Sequence, residues 1–198
     1  MNILHIDSSI QGEQSVTRSL SSAIVTHLRD QLPDAQVIHR DVAAAPLPQF
    51  SAEAELADPA VAPTPSAREL TMALEEVLAA DVIVIGAPMY NFGVPSQLKS
   101  WLDALAVPGR TFRYGADGVE GLLGEKRIII ASSRGGFYGP ESPMAALEHQ
   151  ESYLRAFFGF LGVTRLEVVG AEGVRMGPER ADIAMREAMN QVSRLQAA

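Results

Sequence analysis

The stretch Asp81-Val82-Ile83-Val84-Ile85-Gly86-Ala87-Pro88-Met89-Tyr90-Asn91-Phe92-Gly93-Val94-Pro95 decides the fold. Its first half holds an apolar run rich in Val and Ile that is broken at Gly86 and Pro88, too short for a membrane helix and suited to a strand covered on both faces. Its second half is a loop held between two prolines. Similar runs recur at 2–7, 36–41, 127–132 and 165–170. Between them lie stripes at helical spacing: Leu20, Ile24 and Leu28; Leu70, Leu74, Val77 and Leu78; Leu98, Trp101, Leu102 and Leu105. Two more follow: Leu147, Leu154, Phe158 and Leu161; then Met185, Ala188, Val192 and Leu195. Five strands alternating with five helices predict an α/β chain, a three-layer α/β/α sandwich on a five-stranded parallel sheet.

With strand order 2-1-3-4-5, the loops after the first, third and fourth strands meet outside the carboxyl edge, where open α/β sheets bind ligands. The first loop runs from Ser8 to Thr17. Ser8, Ser9, Gly12, Ser15 and Thr17 cluster there at one helix N-terminus, whose free N–H groups and hydroxyls suit a phosphate, with Arg18 adding a cation. Ser15 and Thr17 are equally suited to plain capping. The second loop offers Met89, Tyr90, Asn91 and Phe92, with Pro88 and Pro95 stiffening its ends. A planar heteroaromatic ring fits such a surface. The third, Ser132-Ser133-Arg134-Gly135-Gly136, allows close backbone approach, and Ser133 and Arg134 can donate to ring carbonyls.

Composition narrows the chemistry. The 198 residues, read as one domain over 1–198, contain no cysteine, which removes thiol catalysis, thiolate zinc and iron–sulfur clusters. A net charge of −8 opposes nucleic acid and anionic membranes as partners. No leader or spanning segment is visible, so a cytoplasmic protein is expected. The sequence carries neither a nucleotide-triphosphate loop nor a dinucleotide fingerprint nor a serine-hydrolase elbow. The four histidines include no pair at metal-ligand spacing, and no metal is expected; His149 alone falls near the loops. Residues 43–65 form a proline-bearing excursion with room for a short turn at 53–57.

The string from Ala87 to Asp103, with Thr111-Phe112-Arg113-Tyr114, Ser133-Arg134-Gly135-Gly136 and Phe158-Gly159-Phe160-Leu161-Gly162, resembles the bacterial FMN-dependent NADH-azoreductases. That flavodoxin-like family is also described as FMN-dependent NADH:quinone oxidoreductases, and the resemblance runs from Ile3 to about Gln191. It implies FMN phosphate binding by Ser9, Ser15, Val16 and Thr17. It implies flavin-ring contacts from Met89, Tyr90, Asn91, Phe92, Ser133, Arg134, Gly135 and Gly136. It further implies a homodimer with sites at the subunit interface, where Tyr114 and Phe157, with His149, are the substrate-pocket candidates. Thr17 stands where serine is frequent, and Gly93 where a bulkier residue can occur.

The expected activity is transfer of two electrons from NADH or NADPH through FMN to a quinone, or reductive cleavage of an azo bond, in ping-pong order. Flavin carries the chemistry and no protein nucleophile is assigned. Two other readings stay open from the residues alone: an electron carrier passing single electrons, and a flavin sensor without NADH turnover.

Overall fold

The structure, a computed structural model, describes residues 1–49, 64–116 and 118–196. The expected short turn at 53–57 lies outside the described residues. The main sheet contains β1 (Asn2–Asp7), β2 (Gln36–Asp41), β3 (Val82–Pro88), β6 (Arg127–Arg134) and β7 (Arg165–Glu172), all parallel, in the order β2-β1-β3-β6-β7. Counted without the intervening hairpin, that is the 2-1-3-4-5 order. Every residue of β3 and β6 is buried, which is why β3 is apolar throughout and β6 is apolar from Ile128 to Ala131.

Alternation along the strands separates two cores. Leu4, Ile6, Ile83, Ile85, Ile128 and Ile130 face α2 (Pro65–Ala79), α3 (Ser96–Asp103) and α4 (Glu151–Phe160), meeting Trp101, Leu102, Leu154 and Phe158. Ile3, Val84, Ile129 and Val169 face α1 (Val16–Gln31) and α5 (Pro178–Val192), meeting Leu20, Ile24, Leu28 and Ala188. Each fully buried Leu, Ile or Phe contributes about 1.5–3 kcal/mol relative to exposure. Helices α2 and α5 both start with proline in the first turn, where its missing N–H and fixed φ cost nothing.

One expectation needs correction. Leu147 is 36% exposed and sits in a 3-10 turn, because the Glu148 carboxylate receives the N–H groups of Gln150, Glu151 and Ser152 and so starts α4 at Glu151. The sequence also gave no sign of an antiparallel hairpin, β4 (Phe112–Gly115) with β5 (Gly118–Gly121), between α3 and β6. Phe112 anchors it in the core, and Gly121 lies against the turn after α4, where an added Cβ would fall 2.1 Å from Gly162 N.

Candidate functional site

The loops after β1, β3, β6 and β7 enclose a cavity of about 410 Å³. Gln11, Gln14 and Val16 line it from the first loop, Pro88, Met89 and Tyr90 from the second, Ser133 and Gly135 from the third, and Val174 and Arg175 from the fourth. None of these residues is acidic, although the chain as a whole is strongly so.

The loops are tied to one another by specific bonds. The Ser8 hydroxyl donates to the Gly86 carbonyl at 2.6 Å, and the Ser9 and Tyr90 hydroxyls lie 3.2 Å apart. Met89 N–H donates to the Ser133 carbonyl at 2.8 Å. The N–H groups of Gly173, Val174 and Arg175 donate to the carbonyls of Gly136, Arg134 and Gly135. Gly135 lets Arg175 lie close, since a Cβ there would be 3.2 Å from Arg175 Cγ.

At the first loop Ser15 caps α1, accepting from Arg18 N–H at 3.2 Å, and its hydroxyl meets that of Thr17 at 3.1 Å. Ser9, Ser15 and Thr17 are all buried. The N–H groups of Val16 and Thr17, in the first helical turn, have no intrahelical acceptor. Three hydroxyls and open amides at a helix N-terminus form a neutral donor set of the kind that holds a phosphate. Arg18, expected to join them, is turned elsewhere. Its guanidinium grips Asp41 through two bonds at 2.6 and 2.9 Å and also donates to the Ser9 carbonyl. Burial and the bonds to Arg18 act in opposite directions on Asp41, and the bonds win, holding its carboxyl below the ordinary value.

The second loop turns between Tyr90 and Gly93, which exchange both backbone hydrogen bonds. Asn91 and Phe92 take φ of 49° and 73°. Two consecutive positive φ values make a type I′ turn, common for Asn and costly for Phe. The turn holds Phe92 at the rim, 40% exposed, with its ring 6.3 Å from that of Tyr138. His149 is exposed, and its N–H donates to the Phe92 carbonyl at 3.0 Å.

Arg134 does not behave as a pocket donor. It is 7% exposed, and its guanidinium is engaged by Gln150, Glu148, Glu151 and Glu172. The third loop therefore offers Ser133 and backbone, with Arg134 locking it from behind. Burial would raise the Glu148 carboxyl, but three backbone N–H bonds and the Arg134 charge outweigh it and hold the group below its ordinary value.

Gln150, fully buried, was not singled out from the sequence. Its Nε2 donates to the Ala87 carbonyl at 2.5 Å, and its Oε1 accepts from Ser132 Oγ and Arg134 Nε, so it ties the ends of β3 and β6 together. Arg175 and Val174 were also missed, because their short loop carries no cluster or motif. Tyr114 and Phe157 do not line the cavity within one chain. Tyr114 stands 75% exposed on β4, and Phe157 lies half-buried between Tyr153 and Phe158 on α4.

Comparison with known proteins agrees with this architecture. The model of a family described as having a flavodoxin-like fold matches residues 1–195. An FMN-dependent NADH:quinone oxidoreductase 2 of Bradyrhizobium diazoefficiens is 49% identical over 203 aligned residues, covering all of both chains. An FMN-dependent NADH:quinone oxidoreductase of Methylocella silvestris is 48% identical over 204, again covering both fully. Among solved structures, an azoreductase from Bacillus anthracis superimposes with a TM-score of 0.86 at 27% identity, covering 98% of this chain and 97% of that one. With matches of this length and identity, the chain belongs to the flavodoxin-like family of FMN-dependent NADH:quinone oxidoreductases.

Proposed function

We propose that this chain is an FMN-dependent oxidoreductase that takes two electrons from NADH or NADPH and delivers them to quinones, and that it also reduces aromatic azo bonds to amines. The observation that carries this reading is the gathering of four strand-end loops around one cavity whose lining has no carboxylate and whose floor adjoins open helix N–H groups. Quinone reduction is favoured by relatives near 50% identity that bear that name. Azo reduction is favoured by the azoreductase neighbour.

Ser9, Ser15 and Thr17 hydroxyls, with the Val16 and Thr17 amides, are the group that would hold the FMN phosphate. Met89, Tyr90, Asn91 and Phe92 would support one side of the ring, and the backbone of Ser133, Arg134, Gly135 and Gly136 its edge. When bound, FMN supplies acceptance and release of a hydride equivalent, chemistry that no side chain here possesses. The protein's part is binding and orientation. The stiff Pro88–Pro95 loop would orient the ring, and the Tyr90 hydroxyl ties that loop to Ser9. Ser133 and the third-loop amides would donate toward the ring's carbonyl edge, where negative charge develops on reduction.

The reading includes one domain over 1–198, a cytoplasmic location, and a homodimer in which Tyr114 and Phe157 of the second subunit close the open side beside Phe92 and His149. Among the described residues no helix is long and apolar enough to cross a membrane. The test is the visible spectrum of the purified protein before and after anaerobic NADH, with heat-released flavin identified by chromatography. Bound FMN that bleaches on NADH addition supports the reading. Absence of flavin after reconstitution, or flavin that NADH leaves unchanged, refutes it.

A further inference from the structure

Outside the loop cavity, the strand register sets two histidines and an aspartate side by side. His5 on β1 is paired with His39 on β2, and Asp7 follows on the same face of β1. We propose that His5, Asp7 and His39 form a binding site for one divalent transition-metal ion of the zinc type.

The ligand atoms of the three residues all lie within 4.8 Å of one another. His39 Nε2 is 3.0 Å from Asp7 Oδ2, and His5 Nε2 is 3.5 Å from Asp7 Oδ1. Tetrahedral zinc with bonds of about 2.0–2.2 Å separates its ligand atoms by roughly 3.3 Å, so small rotations suffice. The His39 side chain, 48% exposed on the edge strand, hydrogen-bonds Asp7 Oδ2 through Nε2, and an ion would take the place of the proton between them.

A second observation singles the cluster out. His5 is 8% exposed, and its Nε2 is buried without a hydrogen-bond partner. A buried imidazole nitrogen left unpaired is costly, and a Lewis acid between the two rings would satisfy it. The rings themselves stand 4.7 Å apart between centroids, tilted by 40°.

The charges around the cluster leave room for a cation. Arg18 Nη1 is 3.6 Å from Asp7 Oδ2, but the guanidinium is held by Asp41 at 2.6 Å, so one positive charge faces two carboxylates and a net negative charge remains. Ser21 Oγ donates to Asp7 Oδ1 at 2.8 Å and orients the carboxylate, as outer-shell partners of metal ligands do. Gly86 opposite makes the space, since a Cβ there would fall 2.9 Å from that oxygen. Two imidazoles and one carboxylate select zinc and its neighbours over magnesium or calcium, and solvent completes the shell at the exposed His39 side. An ion here would clasp β2 to the end of β1 just before Ser8 and Ser9.

The test uses the flavin-loaded protein, dialysed against chelator and titrated calorimetrically with Zn²⁺ alone. One ion per chain is expected, with His39→Ala weakening binding at least tenfold and His149→Ala, at another exposed histidine, leaving it unchanged. Crystals grown with Zn²⁺ should show an anomalous peak between the His5 and His39 rings. No stoichiometric binding, equal titration of the two variants, or an anomalous peak only elsewhere on the surface overturns the proposal.

Discussion

Replacing Gln150 by Leu removes a side chain that ties the ends of β3 and β6 into a single floor. Leu nearly conserves volume, so repacking should cost under about 1.5 kcal/mol. The polar loss dominates. The substitution strands the Ala87 carbonyl, the Ser132 hydroxyl and the Arg134 Nε–H, all buried. At about 1–3 kcal/mol for each abandoned group the upper sum is large, but the Ser132 hydroxyl can rotate and Arg134 keeps its carboxylates, so about 3–5 kcal/mol is expected. For a chain of this size that lowers the melting temperature by roughly 6–20 °C. Urea unfolding should report it as a lower midpoint at unchanged slope, which marks a stability change rather than an altered unfolded state. Flavin release should quicken in parallel, because Met89 and Ser133 ride on the two strand ends. A loss below about 1 kcal/mol would refute the account of Gln150 as a buried, fully engaged hub.

Replacing Ser15 and Thr17 together by Ala should weaken FMN binding by about 1–4 kcal/mol in fluorescence titration, with some loss of helix stability because Ser15 also caps α1. Unchanged affinity would move the phosphate elsewhere. Glu148 has a depressed carboxyl, so the unfolded state binds its proton more readily. Its stabilising effect is complete above the ordinary carboxylate value of about 4.3 and disappears as pH falls through the folded value. Glu148→Gln should therefore flatten the acid limb of the stability profile, and equal acid sensitivity in both proteins would contradict this. Sedimentation at micromolar concentration should show a homodimer, covering Phe160, 42% exposed on α4; a fully active monomer would exclude an interface-built site. Reciprocal plots of rate against acceptor at several NADH levels should be parallel if donor and acceptor share one open face, and intersecting lines would require separate pockets.

The five parallel strands could be read from the sequence because the central strands β1, β3 and β6 are buried on both faces and so concentrate Ile, Leu and Val. Three of the four cavity loops were legible for the same reason: each follows such a run and carries Ser, Asn or Gly. What escaped depends on partners distant in the chain. Arg134 reads as a ligand donor until Gln150 and the carboxylates from α4 and β7 arrive to occupy it. Likewise Arg18 reads as a phosphate cation until Asp41 at the end of β2 claims it. His5 and His39 look unrelated at their sequence spacing and become neighbours only through strand register. The β4–β5 hairpin consists of two four-residue strands with glycine at both ends of β5, too short for any periodicity to register.

A carboxylate-free cavity in a chain of net charge −8 has a kinetic consequence. The dinucleotide donor is itself an anion, so the long-range field of the protein retards its arrival, and attraction begins only at the cavity mouth where Arg175 stands. Raising the ionic strength from about 0.01 to 0.15 M shortens the screening length from roughly 30 to 8 Å, removing the far repulsion while sparing the near contacts. Salt should accordingly speed the encounter with donor and leave that with a neutral quinone unchanged. The two half-reactions of one site would then respond differently to the same buffer.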